Sequence, residues 1–96
     1  MEEAKKRLWK NAMCPIITFA SYQEAIAAEY LLIEEQIPCL VVPLPPSLRA
    51  GCGIALRIFL EDVPRIQSLI AKQPWQVIYY TWEVSLAEWQ VCAFVM

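Results

Sequence analysis

The stretch PIITFASYQEAIAAEYLLIEE, residues 15–35, decides the fold of this chain. It begins with a short run of β-branched and aromatic residues, Pro15–Ala20, which predicts a buried strand. A Ser-x-x-Glu pair, Ser21 and Glu24, follows at once and is the capping-box signature of a helix N-terminus. The stretch therefore predicts a strand that leads directly into a helix over about residues 22–35.

The predicted helix carries two apolar stripes on nearly opposite sides. The first has small residues that allow close approach to a sheet, and it consists of Ala25, Ala28, Leu31 and Leu32. The second is bulkier and consists of Tyr22, Ile26, Tyr30 and Ile33. One stripe belongs to the domain core. The other needs a cover, for which the N-terminal arm, the C-terminal tail and another subunit are the candidates.

Three further strands and a second helix follow. Ile37–Pro43 is almost continuously apolar, which favours a central strand, and prolines end it. Ile54–Leu60 and Trp75–Val84 are the third and fourth strands, and a helix over about residues 62–72 lies between them, with Pro64 in its first turn. This order predicts a ferredoxin-like βαββαβ plait, an α+β fold with a four-stranded antiparallel sheet and two helices on one face.

The two ends of the chain lie outside this predicted core. We expect one domain, with a ferredoxin-like core over residues 14–84 and a polar N-terminal arm over residues 1–13. Residues 85–96 form a C-terminal extension. Its Ser85 and Glu88 make a second capping-box pattern, which predicts a short helix.

The composition excludes several classes of protein. Hydrophobic residues make up 58% of the 96 residues and charged residues 19%, which excludes a disordered chain. A mean hydropathy of +0.39 is high for a small monomer, so we expect a homo-oligomer. The net charge of −2 argues against a nucleic-acid partner, because binding to nucleic acid depends on neutralising phosphates.

The residues available for chemistry are also limited. The chain has no histidine, which excludes His-assisted nucleophiles and His-ligated zinc. Its four cysteines contain no Cys-x-x-Cys pair, so we expect no metal and no other cofactor. The chain opens with charged residues and has no apolar run of membrane-spanning length. We therefore expect no membrane association and a cytoplasmic location with reduced thiols.

One loop carries residues that packing alone does not explain. It lies in the segment PLPPSLRAGCGIALR, Pro43–Arg57, where two glycines flank one cysteine and two arginines bracket it. The candidate site residues are Cys52 as the reactive thiol and Arg49, Gly51, Gly53 and Arg57 as substrate-binding residues. Glycines let backbone N–H groups approach an anion, and a nearby guanidinium favours the thiolate form of cysteine.

The same segment carries a resemblance to a known family. The shared pattern is an Ala-x-x-Ala-Glu-x-Leu-Leu helix, a Pro-x-Pro loop and a Cys-Gly-x-Ala-Leu entry into a strand. Its positions here are Ala25, Ala28, Glu29, Leu31, Leu32, Pro43, Pro45, Cys52, Gly53, Ala55 and Leu56. Over about residues 16–73 the chain resembles the selenium/sulfur carrier protein-like family. Pro46 stands where the family commonly has arginine, and Arg49, Ala50 and Gly51 stand where serines are usual.

The resemblance implies a small carrier or transfer accessory protein in sulfur or selenium metabolism. Cys52 would hold sulfur or selenium as a persulfide-type adduct, and the partner would be a sulfur- or selenium-donor protein. Such a protein need not turn over a substrate, because thiol exchange requires only an accessible thiolate and a docking surface.

Two other functions remain open from the residues alone. The chain could be a ferredoxin-like binding and oligomerisation module in which Cys52 is chemically idle, or a purely structural subunit. Cys39 alternates within an apolar strand and is predicted to be a core residue. Cys14 and Cys92 lie near the ends and are predicted to have no role.

Overall fold

The computed structural model describes residues 2–49 and 51–92. Its helices are α1 (Glu2–Lys10), α2 (Tyr22–Glu34) and α3 (Val63–Ile70), with a short 3-10 turn, Leu60–Asp62, before α3. Its strands are β1 (Ile16–Phe19), β2 (Leu40–Pro43), β3 (Ile54–Arg57), β4 (Val77–Glu83) and β5 (Glu88–Cys92). All strand pairs are antiparallel, and the strand order in the sheet is β2-β3-β1-β4-β5.

The predicted α+β class with an antiparallel sheet is confirmed, but the predicted number of strands is wrong. The sheet has five strands instead of four, because the C-terminal segment adds β5 beside β4. The order of the other four strands is compatible with the predicted plait. The prediction that the second strand is central is also wrong, because β2 lies at an edge of the sheet. Its apolar character instead reflects cover on both faces, and Pro43 is tolerated at an edge.

The predicted C-terminal helix is a β-hairpin. Ser85 does not cap a helix, because its N–H and its hydroxyl both donate to the Glu83 carboxylate and so stabilise the turn. Ala87 has a positive φ of 50°, which the tight turn requires. The rings of Trp82 and Trp89 meet edge to face across the two strands, with their centroids 5.3 Å apart. Cross-strand pairing therefore outweighs the local capping pattern.

The predicted N-terminal cap of α2 is confirmed. The Ser21 hydroxyl oxygen accepts a hydrogen bond from the Glu24 backbone N–H at 3.2 Å, and the hydroxyl donates to the Glu24 carboxylate at 3.1 Å. The other carboxylate oxygen of Glu24 accepts from the backbone N–H of Gln76. Glu24 therefore also ties the start of α2 to the residue that precedes β4.

The helices cover both faces of the sheet. On the first face α2 and α3 enclose a core, whose buried members include Ile17, Phe19, Ala25, Ala28, Leu32, Leu56 and Ile66. The second face carries a smaller cluster of Ile16, Val42, Ala55 and Tyr80. Helix α1 packs against β2 on this second face and buries Leu8 completely.

Helix α1 therefore does not cover the bulky stripe of α2. Tyr22, Tyr30 and Ile33 of that stripe are exposed. The other candidate cover within the chain is the C-terminal tail, residues 85–96; its described part forms a turn and the edge strand β5, and residues 93–96 lie outside the described residues. Among the described helices, none is long and apolar enough to cross a bilayer.

Candidate functional site

The loop between β2 and β3 is held in a defined shape. The Leu44 N–H donates to the Gly53 carbonyl oxygen at 3.2 Å and closes the loop, and the Leu48 N–H donates to the Pro45 carbonyl oxygen at 3.0 Å. Leu44 and Leu48 also pack on the second face of the sheet. The first half of the loop is therefore anchored on that face.

The two glycines of the loop have different structural roles. A Cβ atom on Gly51 would overlap the carbonyl oxygen of Ala20, at the end of β1, so this position needs a residue without a side chain. Gly53 has a φ of +70°, which L-residues adopt at a cost, and the space beside it is open. The loop thus passes very close to β1 before it enters β3.

Cys52 is a residue of this loop, and its side chain is buried under it. The residue is only 7% exposed and belongs to the core on the first face. Its thiol donates a hydrogen bond to the Ile54 carbonyl oxygen, with 2.9 Å between sulfur and oxygen. A partner molecule can therefore reach the sulfur only after the loop has moved.

Arg49 lines a small pocket beside the loop. The pocket has a volume of about 140 Å³ and lies between the loop and the ends of β1 and β4, where Thr18, Gly51 and Gln76 also line it. The Arg49 side chain is exposed and has no ion pair in the part of the chain that the structure describes. The hydroxyl of Thr18, a residue only 1% exposed, is buried without a hydrogen-bond partner. A guanidinium and a free hydroxyl are suitable groups for holding a small anion.

Arg57 is not near Cys52, because the two side chains lie on opposite faces of the sheet. Arg57 follows the alternation of β3 and lies on the second face with Ala55. Its Nη1 donates to the Leu8 carbonyl oxygen at 2.9 Å and, with poorer geometry, to that of Trp9 at 3.5 Å. The structure thus brings Arg49 and Gly51 together and places Arg57 at the C-terminal end of α1.

The other cysteines show no sign of a reactive site. All four cysteines are free of disulfides. Burial raises the pKa of Cys39 to about 11, and it also raises the pKa of Cys14. Cys92 is half-buried, and its sulfur lies 3.2 Å from the Thr81 hydroxyl oxygen. Within residues 2–49 and 51–92, no cluster of acidic and cysteine side chains could hold a metal ion.

The raised pKa of Cys39 predicts that stability falls at alkaline pH. Between its usual pKa of 9.0 and the folded value of about 11, the unfolded chain releases the proton while the folded chain keeps it. The folded state therefore loses stability as the pH rises from 9 to 11, by on the order of 2 kcal/mol. Urea unfolding of the wild type and of Cys39→Ala at several pH values measures this. The loss of stability between pH 9 and 11 should be smaller in the variant. If stability falls equally with pH in both proteins, Cys39 is not its cause.

Sequence reasoning missed two features of these surfaces. Nothing in the sequence indicated that the Thr18 hydroxyl is buried without a partner, because threonine is common in strands for its β-propensity. The sequence gives only a weak signal for the pair of Trp82 and Trp89: the two residues flank a six-residue segment that contains one turn-forming residue, Ser85.

Comparison with known proteins agrees with the resemblance. The family model described as "Putative Se/S carrier protein-like" matches residues 14–80, which include the whole loop and Cys52. No curated protein and no solved structure matches the chain. The match covers well over half of the 96 residues and confirms the predicted family. The chain therefore belongs to the Se/S carrier protein-like family.

Proposed function

We propose that this protein is a thiol-based carrier of sulfur or selenium, with Cys52 as the acceptor. The observation that carries the proposal is the family match, which spans the loop and its cysteine. The scaffold would be a ferredoxin-like plait extended by α1 and β5. The glycines on both sides of Cys52 support the proposal, because they allow the loop to change its backbone conformation at little cost.

The transfer step is an exchange between sulfur atoms. The Cys52 thiolate attacks the terminal sulfur of a persulfide on the donor and forms a new S–S bond. The S–S bond of the donor breaks, and the donor leaves as a thiolate, while the terminal sulfur keeps its proton. Atoms and electrons balance without an external oxidant, because the sulfur that moves keeps its oxidation state.

The burial of Cys52 adds a requirement to this step. The thiol must leave the Ile54 carbonyl oxygen, and the loop must open before a donor can reach the sulfur. We propose that the loop opens transiently in the free protein and that contact with the donor protein favours the open form. The pocket at Arg49 and Thr18, which adjoins the loop at Gly51, would then hold a small anionic group of the donor. A cytoplasmic location and a homo-oligomeric state are part of the same proposal.

Persulfide loading tests the proposal directly. The protein is incubated with glutathione persulfide, and peptide mass spectrometry locates any cysteine that has gained one sulfur atom. We expect loading on Cys52 and its complete loss in Cys52→Ser, whereas Cys14→Ser, at a second buried cysteine, should load like the wild type. Loading on other cysteines alone, or unchanged loading in Cys52→Ser, would exclude Cys52 as the acceptor.

A second function is favoured by the geometry of the thiol itself. Cys52 is a core residue whose hydrogen bond needs the proton on sulfur, which suits a binding module with an idle cysteine. Alkylation of the native protein across a pH series separates the two functions. Modification of Cys52 in the folded protein supports the carrier, because it shows that the loop opens far enough for a reagent to reach the sulfur. Modification only after unfolding supports the binding module.

A further inference from the structure

A large apolar groove crosses the second face of the sheet. It has a volume of about 680 Å³ and lies between the end of α1, the proline-containing loop after β2 and the β4-β5 hairpin. Trp9 lines it from the helix side, Val42 and Pro45 from the strand and loop, and Trp82 and Trp89 from the hairpin. Sites for small molecules have volumes of roughly 300–1,000 Å³ and mostly apolar walls, so this groove has the size and the lining of such a site.

One charged side chain, Arg57, lines this groove, and no acidic one does so among the described residues. Arg57 uses Nη1 to hold the C-terminal carbonyl groups of α1. Its Nε is buried without a hydrogen-bond partner, and its Nη2 forms no hydrogen bond with any described residue. The Nε and Nη2 groups form one edge of the guanidinium, and this edge is suited to binding the two oxygens of a carboxylate.

We propose that this groove binds a small molecule with an apolar body and one carboxylate, which pairs with Arg57. The tryptophan and proline side chains would cover the apolar body of the ligand. This contact is favourable because it removes apolar surface of both molecules from water. The carboxylate would neutralise the unpaired charge and, after a small movement of the guanidinium, would satisfy the buried Nε–H. The site lies on the opposite face from Cys52, so the proposal is independent of the thiol chemistry.

Titration with three ten-carbon ligands tests the charge requirement. Decanoate, 1-decanol and decylamine share one chain and carry a negative, a neutral and a positive end group. Three of the four tryptophans line the groove, so intrinsic fluorescence reports binding. We expect decanoate to bind at least about tenfold more tightly than decanol, as for a hydrogen bond to a charged group, and decylamine to bind most weakly. Equal binding of all three, or none, would overturn the proposal.

Two variants and an assembly measurement complete the test. Arg57→Gln keeps a donor for the α1 carbonyl groups and should abolish the preference for decanoate over decanol, as measured by calorimetry. Tyr30→Ala, on the exposed stripe of α2, should leave all affinities unchanged. A preference that persists in Arg57→Gln would contradict the pairing. Sedimentation of wild type and Trp9→Glu, at an exposed residue of the groove, adds a further outcome: a dimer that Trp9→Glu dissociates would show that a second copy occupies the groove, which also overturns the proposal.

Discussion

Gly51→Ala should destabilise the protein by on the order of 3 kcal/mol. The added Cβ atom would overlap the Ala20 carbonyl oxygen, and neither backbone segment can yield easily. Ala20 directly precedes Ser21, the N-cap of α2, while the loop is closed by the hydrogen bond between Leu44 and Gly53. Relief of the overlap must therefore move the loop away from β1. Chemical denaturation measures the change in the free energy of unfolding.

Gly53→Ala is the matched control for this prediction. The Cβ atom of an alanine at position 53 would meet open space, so the cost is only that of a positive φ, about 1 kcal/mol. The two substitutions add the same methyl group on either side of Cys52. If Gly51→Ala is as stable as Gly53→Ala, the close approach of the loop to β1 is not present.

The same two variants also test how the position of the loop affects access to the Cys52 thiol. A loop displaced by Gly51→Ala no longer covers Cys52 as closely, so alkylation of Cys52 should be faster than in the wild type. Gly53→Ala should change this rate much less, because it displaces nothing. Faster alkylation in Gly51→Ala would support the proposed loop opening, because it would show that the position of the loop controls access to the sulfur.

Local signals in the sequence predicted much of the fold. Ser21 and Glu24 satisfy each other within one helical turn, so the start of α2 could be read without the rest of the chain. Ser85 and Glu88 show the same pattern, but there the outcome is a hairpin. The difference is that Trp82 and Trp89 pair across strands, and no local rule weighs such a contact against a cap.

The candidate site was predictable only in part for the same reason. The glycines around Cys52 indicate a turn, but the direction of the thiol depends on where the loop is anchored. Leu44 and Leu48 fix the loop on the second face, and Cys52 then enters the core on the first. Arg57 is close to Cys52 in sequence, yet the alternation of β3 directs it to the other face. The alternation can be read from residue spacing, but the anchoring of the loop on the second face cannot, because it depends on long-range packing.

The position of α1 on the sheet depends on contacts that the sequence of the helix does not indicate. The first residues of the chain are mostly polar, and the sequence alone predicted a frayed arm or a short helix there, with no function. In the structure Arg57 fixes the end of α1 through the Leu8 carbonyl oxygen, and the Arg7 guanidinium lies 4.6 Å from the centroid of the Phe59 ring. The helix thereby becomes one wall of the apolar groove.

Leu8→Ala should cost about 2–5 kcal/mol of stability, the usual range for truncating a buried leucine. Leu8 is 0% exposed and is the one buried residue of α1, so its loss also removes the main contact that holds the helix to the sheet. Amide hydrogen exchange in α1 should then become much faster than in β1. Trp9→Ala is the control, because Trp9 is 73% exposed and its loss should change stability by no more than about 0.5 kcal/mol. If the free energy of unfolding falls by the same small amount in both variants, Leu8 is not the residue that holds α1 to the sheet.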